Sequence, residues 1–167
     1  ANQKNTLVNH NTINSHSLEK NLKDKKQARE ILGLSPSSYI IGSIGRLVEK
    51  KGHLHLLQAF AKSKIKNKQL VIIGEGRMRE TLEREAQKLD IADNVFLPGN
   101  IESACHYLKA LDQFIMPSLN EGFGLAALEA IVASVPIIST NVGGLPEVIG
   151  PEGKYFETGN IEQLRST

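Results

Sequence analysis

Short, unbroken apolar runs recur along the chain with segments of helical period between them, and this alternation restricts the fold more than any other feature. The runs lie at residues 39–44, 69–73, 95–97, 113–116, 136–139 and 154–156. They are rich in Val, Ile, Leu and Phe and lack the apolar–polar alternation of a strand with one wet face. Such runs suit strands covered by helices on both sides. Helical segments fall between them at about 52–63, 78–89, 101–110 and 123–133, and another begins after Asn160. Regular β–α alternation predicts an α/β domain: a Rossmann-like, doubly wound parallel sheet flanked by helices. Ligands of such sheets bind beyond the carboxyl ends of the strands, so the turns that follow the strands are where chemistry is expected.

Ahead of the first run, residues 1–21 are rich in Asn, Ser, His and Thr and read as a linker or lead-in segment. A helix is predicted over 22–32, stopped by Gly33 with Pro36 close behind. The folded domain is therefore expected over 22–167. A length of 167 residues suits one domain. The 20 basic and 18 acidic residues leave a net charge of +2. That balance argues against a nucleic-acid partner, which shows as a basic bias on one face, yet it allows one anion in a local pocket. Cys105 is the only cysteine, which excludes an internal disulfide and fits a reducing compartment. Residues 1–5 carry no apolar signal core, and no stretch approaches the ~20 apolar residues of a membrane helix. A cytoplasmic location is expected on these grounds.

Four turns carry candidate chemistry. The first is EGFGLAALE, Glu121 to Glu129, after the strand that ends in MPS. Gly122 and Gly124 sit where a loop becomes a helix. Unpaired amides there face an anion, and the helix dipole favours negative charge. The two carboxylates are eight residues apart, roughly 12 Å if helical throughout at ~1.5 Å per residue. Glu121 is then placed to accept from sugar hydroxyls and Glu129 from ribose hydroxyls, with a diphosphate between them. On the helix, Leu125, Leu128, Ile131 and Val132 cluster on one side and Ala126, Ala130 and Ala133 on a smaller one, with Glu129 at the border. Without a ligand the same residues read as a dipole-paired Glu121 and a solvated Glu129.

The second turn, GRLVEKKG at 45–52, places Arg46 and Lys51 five residues apart after the first strand. A planar guanidinium and a point charge can enclose one phosphate; the other reading is a solvated basic loop. The third, GEGRMR at 74–79, begins like a dinucleotide fingerprint but has Arg79 where the third glycine belongs. It reads as a tight strand-to-helix turn beside a nucleotide. The fourth, NVGGLPE at 141–147, reads as a turn at Gly143-Gly144 with Pro146 opening a short helix. His53 and His55, two residues apart, point to different sides of a helix and make no metal pair. Cys105 beside His106 reads as a packing pair.

In this order, MPS with Glu121 and Glu129, GR…KG upstream and GGLPE downstream resemble the carboxy-terminal domain of glycosyltransferase family 4, retaining enzymes of the GT-B fold. The resemblance covers roughly residues 38–165. It implies that Arg46 and Lys51 neutralise the donor diphosphate and that Glu121 binds the donor sugar. It also implies that Phe123, Gly124 and Leu125 supply backbone to sugar and phosphate, and that Glu129 binds the ribose. Gly45 borders the same pocket, Pro98 and Gly99 after the third strand form the base-binding edge, and Gly74 and Arg77 line the pocket beside them. Asn9 is a poor match to the asparagine of the inter-domain connection. The implied donor is a nucleotide-diphosphate sugar, most commonly linked to uridine and next to guanosine, bound with no metal and no further cofactor. The implied acceptor is a glycan or a lipid-linked sugar, so the inner face of the membrane is a possible workplace. The family's amino-terminal acceptor domain has no counterpart in these residues, and the isolated domain is expected to bind donor and transfer poorly. Three other readings stay open: a GT-B nucleotide-sugar epimerase, a non-catalytic nucleotide-binding module, and a Rossmann dehydrogenase, which the missing third glycine disfavours.

Overall fold

The computed structural model describes residues 12–166. Its strands are β1 (Tyr39–Ile44), β2 (Lys68–Ile73), β3 (Val95–Gly99), β4 (Gln113–Met116), β5 (Ile137–Thr140) and β6 (Lys154–Phe156). They form one sheet in the order β3-β2-β1-β4-β5-β6, and every pairing is parallel. The helices are α1 (Ser15–Asn21), α2 (Lys25–Ile31), α3 (His53–Lys62), α4 (Arg79–Lys88), α5 (Leu125–Val132), α6 (Leu145–Ile149) and α7 (Ile161–Ser166). Single 3₁₀ segments occupy Glu49–Lys51, Ala92–Asn94 and Ala104–Ala110. The doubly wound sheet expected from the alternating runs is what forms.

Successive strand residues point to opposite faces, and both faces are buried. Ile40, Val71, Ile73, Phe114 and Met116 pack toward α2, α5 and α6. Ile41, Leu70, Ile72, Ile115 and Ile138 pack toward α3, α4 and α7. Each such side chain, taken fully out of water, contributes about 1.5–3 kcal/mol. The strand order reverses between β1 and β4, which makes their carboxyl ends the switch point of the sheet. The β1–β4 ladder pairs only Ile41 with Gln113 and Gly42 with Phe114. Their last residues, Ile44 and Met116, lie beyond this ladder and line a crevice between the two strand ends.

Several elements depart from the sequence reading. Part of the expected lead-in is helix: α1 is capped by the Asn14 side chain, which accepts from the Ser17 amide at 2.9 Å, and Leu18 is 7% exposed. The helix expected at 101–110 is a 3₁₀ segment that begins at Ala104, after Ser103 in the left-handed conformation (φ 52°). Strand β3 runs on through Pro98 to Gly99, which is allowed because it is an edge strand and needs no amide on its outer side. On α5 the buried face is Ala127, Ala130 and Ala133, while Leu125 and Ile131 are exposed at 46% and 41%. Leu128 and Val132, on the same side as Leu125 and Ile131, are half-buried. Small residues let this helix sit close to its neighbours α6 and the 3₁₀ segment, and close approach decides the face here.

Candidate functional site

The crevice is built first from backbone. Beyond β4 the chain runs through Pro117, Ser118 and Leu119 to Glu121 and enters α5 at Leu125. Gly124 caps this helix with φ 91°, a left-handed conformation that side chains disfavour. The amides of Leu125 and Ala126 in the first turn have no acceptor among the described residues. Glu121 therefore lies in the loop before the helix, and a helical run from Glu121 to Glu129 does not occur. The loop is braced by the fourth turn. Gly143 has φ 54°, and a Cβ there would run into the Glu121 carbonyl. A Cβ on Gly144 would sit 2.6 Å from the Gly122 oxygen. The glycine pair read as a simple turn is thus the surface against which the Glu121 loop packs.

Charged groups converge on this frame. Lys51 Nζ lies 2.5 Å from Glu121 Oε2, with the two side chains 19% and 13% exposed. Ser118 Oγ donates to the same carboxylate oxygen at 3.2 Å, and Ser118 is itself fixed by Thr140 Oγ1, which donates to its carbonyl at 2.7 Å. The Lys50 carbonyl accepts from the Leu119 amide at 2.8 Å, which ties the Glu49–Lys51 turn to the Glu121 loop. Arg46 is exposed and has no partner among the described residues. Burial raises the Glu129 carboxyl above its ordinary value, and the Cys105 thiol, which donates to it, pulls the other way. Burial also pushes that thiol up, with the Glu129 charge adding to the effect. Beneath Gly45, His53 is 4% exposed, with Nδ1 unpartnered. Burial, helped by the charge of Lys51, lowers its imidazole to about 4.

Above these groups a crevice of about 440 Å³ opens at the switch point. Gly45, Arg46, Lys51, Glu121, Phe123, Gly124, Leu125 and Glu129 all line it. The other four sequence-predicted residues do not. Gly74 and Gly99 lie on the adjoining rim, joined by the Gly74 amide donating to the Gly99 carbonyl at 2.8 Å, with the Gly45 amide bonded to Ile73 beside them at 3.0 Å. Pro98 is exposed on the edge strand. Arg77 turns away to Glu49, with Nε 2.9 Å from Oε2, and its side chain is 75% exposed. Arg79 is the arginine that reaches the third strand, donating to the Leu97 carbonyl at 3.1 Å while also bonded to Glu75 and Glu83. Sequence reasoning missed Lys50 and Ala126, which also line the cavity, and Ser118 and Cys105, which hold its two carboxylates. Ser118 stands in the MPS motif, so its place beside the site was visible and only its bond was not. Asn9 lies outside the described residues.

A second cleft, of about 280 Å³, opens at the amino ends of β1 and β4 beside Tyr39, Phe60 and Gln113, away from every motif. Among the described residues, no three His, Cys, Asp or Glu side chains are grouped to hold a metal ion. No described helix is long and apolar enough to cross a membrane.

An open helix start, two carboxylates and an arginine with no partner among the described residues, all at the switch point of a parallel sheet, define an α/β domain with a polar crevice there. The chain belongs to the glycosyl transferases group 1 family, which it matches over residues 24–166. It is 33% identical over 153 residues to a GDP-mannose-dependent monoacylated phosphatidylinositol monomannoside mannosyltransferase of Corynebacterium glutamicum, covering 84% of this chain and 40% of that protein. Among solved structures it resembles sucrose-phosphate synthase of Thermosynechococcus elongatus, with a TM-score of 0.77, 29% identity, and coverage of 89% of this chain and 39% of that one. The Anabaena protein HepE, solved in complex with UDP-glucose, shares the fold with a TM-score of 0.78 at 22% identity, over 86% of this chain and 41% of that one. The chain spans about two fifths of the length of these three proteins.

Proposed function

We propose that this chain is the donor-binding, carboxy-terminal-type domain of a retaining family 4 glycosyltransferase that takes sugar from a nucleotide-diphosphate sugar. One observation carries the reading: Arg46, Lys51, the open first turn of α5, Glu121 and Glu129 share a single cavity at the switch point. The diphosphate lies against the amides of Leu125 and Ala126 with Arg46 over it, Glu121 accepts from the sugar hydroxyls, and Glu129 accepts from the ribose. Gly74 and Gly99 on the adjoining rim place the base. As the anomeric bond breaks, negative charge grows on the leaving diphosphate, and the fixed cations and amides stabilise it. The acceptor hydroxyl then attacks from the face the diphosphate leaves and passes its proton to the departing phosphate oxygen, so configuration is retained. A hexose donor and a glycan or lipid-linked acceptor fit this reading, with the acceptor held by a second, amino-terminal domain across the cleft, on the cytoplasmic side.

A GDP-mannose-dependent relative and a UDP-glucose-bound neighbour leave two bases to compare. The test is calorimetric titration of UDP-glucose and GDP-mannose into the chain and into Arg46→Ala/Lys51→Ala. Two charge-assisted contacts predict a loss of about a hundredfold or more in affinity for whichever donor binds. Equal affinity in the double variant removes the phosphate clamp.

A further inference from the structure

We infer that Lys51 and Glu121 form an exchangeable latch, closed on each other without donor and opened when a diphosphate draws Lys51 away and frees the carboxylate for the donor sugar. The inference rests on the donor reading above and deepens it. Lys51 is the cation assigned to the phosphates and Glu121 the acceptor assigned to the sugar, yet the two lie 2.5 Å apart and largely out of water. Neither can serve its ligand fully while it serves the other. Arg46, in contrast, is exposed and unpartnered among the described residues, and with the open amides of Leu125 and Ala126 it meets the diphosphate first. A diphosphate carries more negative charge than one carboxylate and so competes well for the ammonium.

The surroundings suit an exchange that moves side chains and leaves the backbone in place. The bond from the Leu119 amide to the Lys50 carbonyl fastens the two loops together, and Lys51 swings on its own four-carbon stem. Ser118 Oγ keeps Glu121 in place after Lys51 leaves, because it is 1% exposed and donates to the same oxygen. Ser118 is therefore a positioning residue for the open state. The consequence is coupled recognition. Sugar hydroxyls acting alone must displace an ammonium from Glu121, whereas sugar attached to a bound diphosphate finds Glu121 already released.

The experiment is calorimetric titration of UDP and GDP, and of UDP-glucose and GDP-mannose, into four forms of the chain: unchanged, Glu121→Gln, Lys51→Met and the double variant. Glu121→Gln removes the closed latch, so the better-bound nucleoside diphosphate is expected to bind about three- to tenfold more tightly than to the unchanged chain. The same variant is expected to lose the advantage of nucleotide-sugar over nucleotide. On the Lys51→Met background the glutamine is expected to bring no gain, because the lysine it frees is gone. Affinity for the nucleoside diphosphate that is unchanged or weaker in Glu121→Gln overturns the latch, as does a gain that survives without Lys51. Glutamine keeps the volume of the glutamate and its bond from Ser118, so that result stands even where Lys51→Met does not fold. If the unchanged chain binds neither nucleotide, the donor reading itself falls and the latch with it.

Discussion

Arg29 and His53 are buried to the same degree, each 4% exposed, at opposite ends of one sheet. Arg29, at the amino ends of β1 and β4, has every side of its guanidinium met. Its Nε donates to the Ala110 carbonyl at 2.9 Å, Nη1 to Pro36 at 2.8 Å and Nη2 to Asp112 Oδ2 at 2.7 Å. Asp112 in turn accepts from Lys25 at 2.6 Å and from the Ile40 amide at 2.7 Å. At the carboxyl ends, His53 has no acceptor for Nδ1 and stays neutral. Nearby, Arg46, two helix amides and a desolvated Glu129 are left incompletely satisfied. The difference is one of how fully each end is satisfied. The polar groups at the amino ends are closed on one another, whereas at the carboxyl ends Lys51 and Glu121 are paired but Arg46 and the helix-start amides find no acceptor among the described residues.

Removing a partner at the satisfied end breaks this comparison most strongly. Asp112→Ala leaves Arg29 buried with its charge uncompensated, which costs about 4 kcal/mol. For a chain of this size that lowers the melting temperature by about 10 °C. Urea denaturation measures the loss, and nucleotide titration of the folded fraction is expected to give the parent affinity. A loss under about 1 kcal/mol, or a change in affinity, would show that the two ends are not separate in role.

The second effect belongs to His53 and appears as pH dependence. Its folded value of about 4 lies below the ordinary 6.5, mainly because burial penalises the cation. Unfolded chains bind a proton here as pH falls through 6.5, and the folded chain does not until about 4. Stability from this group is therefore whole above 6.5 and falls as pH drops between the two values, by about 2 kcal/mol at pH 5. Denaturation at pH 7.5 and pH 5 for the parent and His53→Phe separates this from other titrations. The parent is expected to lose about 2 kcal/mol more than the variant. Equal losses would mean that His53 finds a partner when charged, as Arg29 does.

The same contrast explains what was legible in the sequence. Strands between two helical layers need apolar residues on both faces, so β1, β4 and β6 occupy the spans their runs predict. The turns were legible because glycine and charge at a strand end have few other uses, and eight of the expected site residues line one cavity. Contacts across the fold were not. Lys51 and Glu121 are 70 positions apart, and spacing says nothing of whether two loops touch. Which side of α5 is buried was not legible, because hydrophobic period ranks side chains by apolar size, whereas the fully buried positions are the small Ala127 and Ala130. Helix α1 was missed because Leu18 is its one buried residue, too little to set a period.

A third basic residue sharpens the comparison with the smallest expected effect. By sequence Arg77 belongs with the donor pocket, as Arg46 does; in the fold it is tied to Glu49, with both side chains more than half exposed. An exposed pair in salt water contributes little, because solvent screens it and two long side chains must be held still. Arg77→Ala is expected to move the melting temperature by about a degree or less and nucleotide affinity by less than about twofold. Arg46→Ala, which removes a cation with no protein partner, is expected to weaken the same ligand about tenfold. Both are read in one calorimetric series at constant salt. A tenfold loss in Arg77→Ala would mean that the arginine leaves Glu49 for the ligand, as the latch requires Lys51 to leave Glu121.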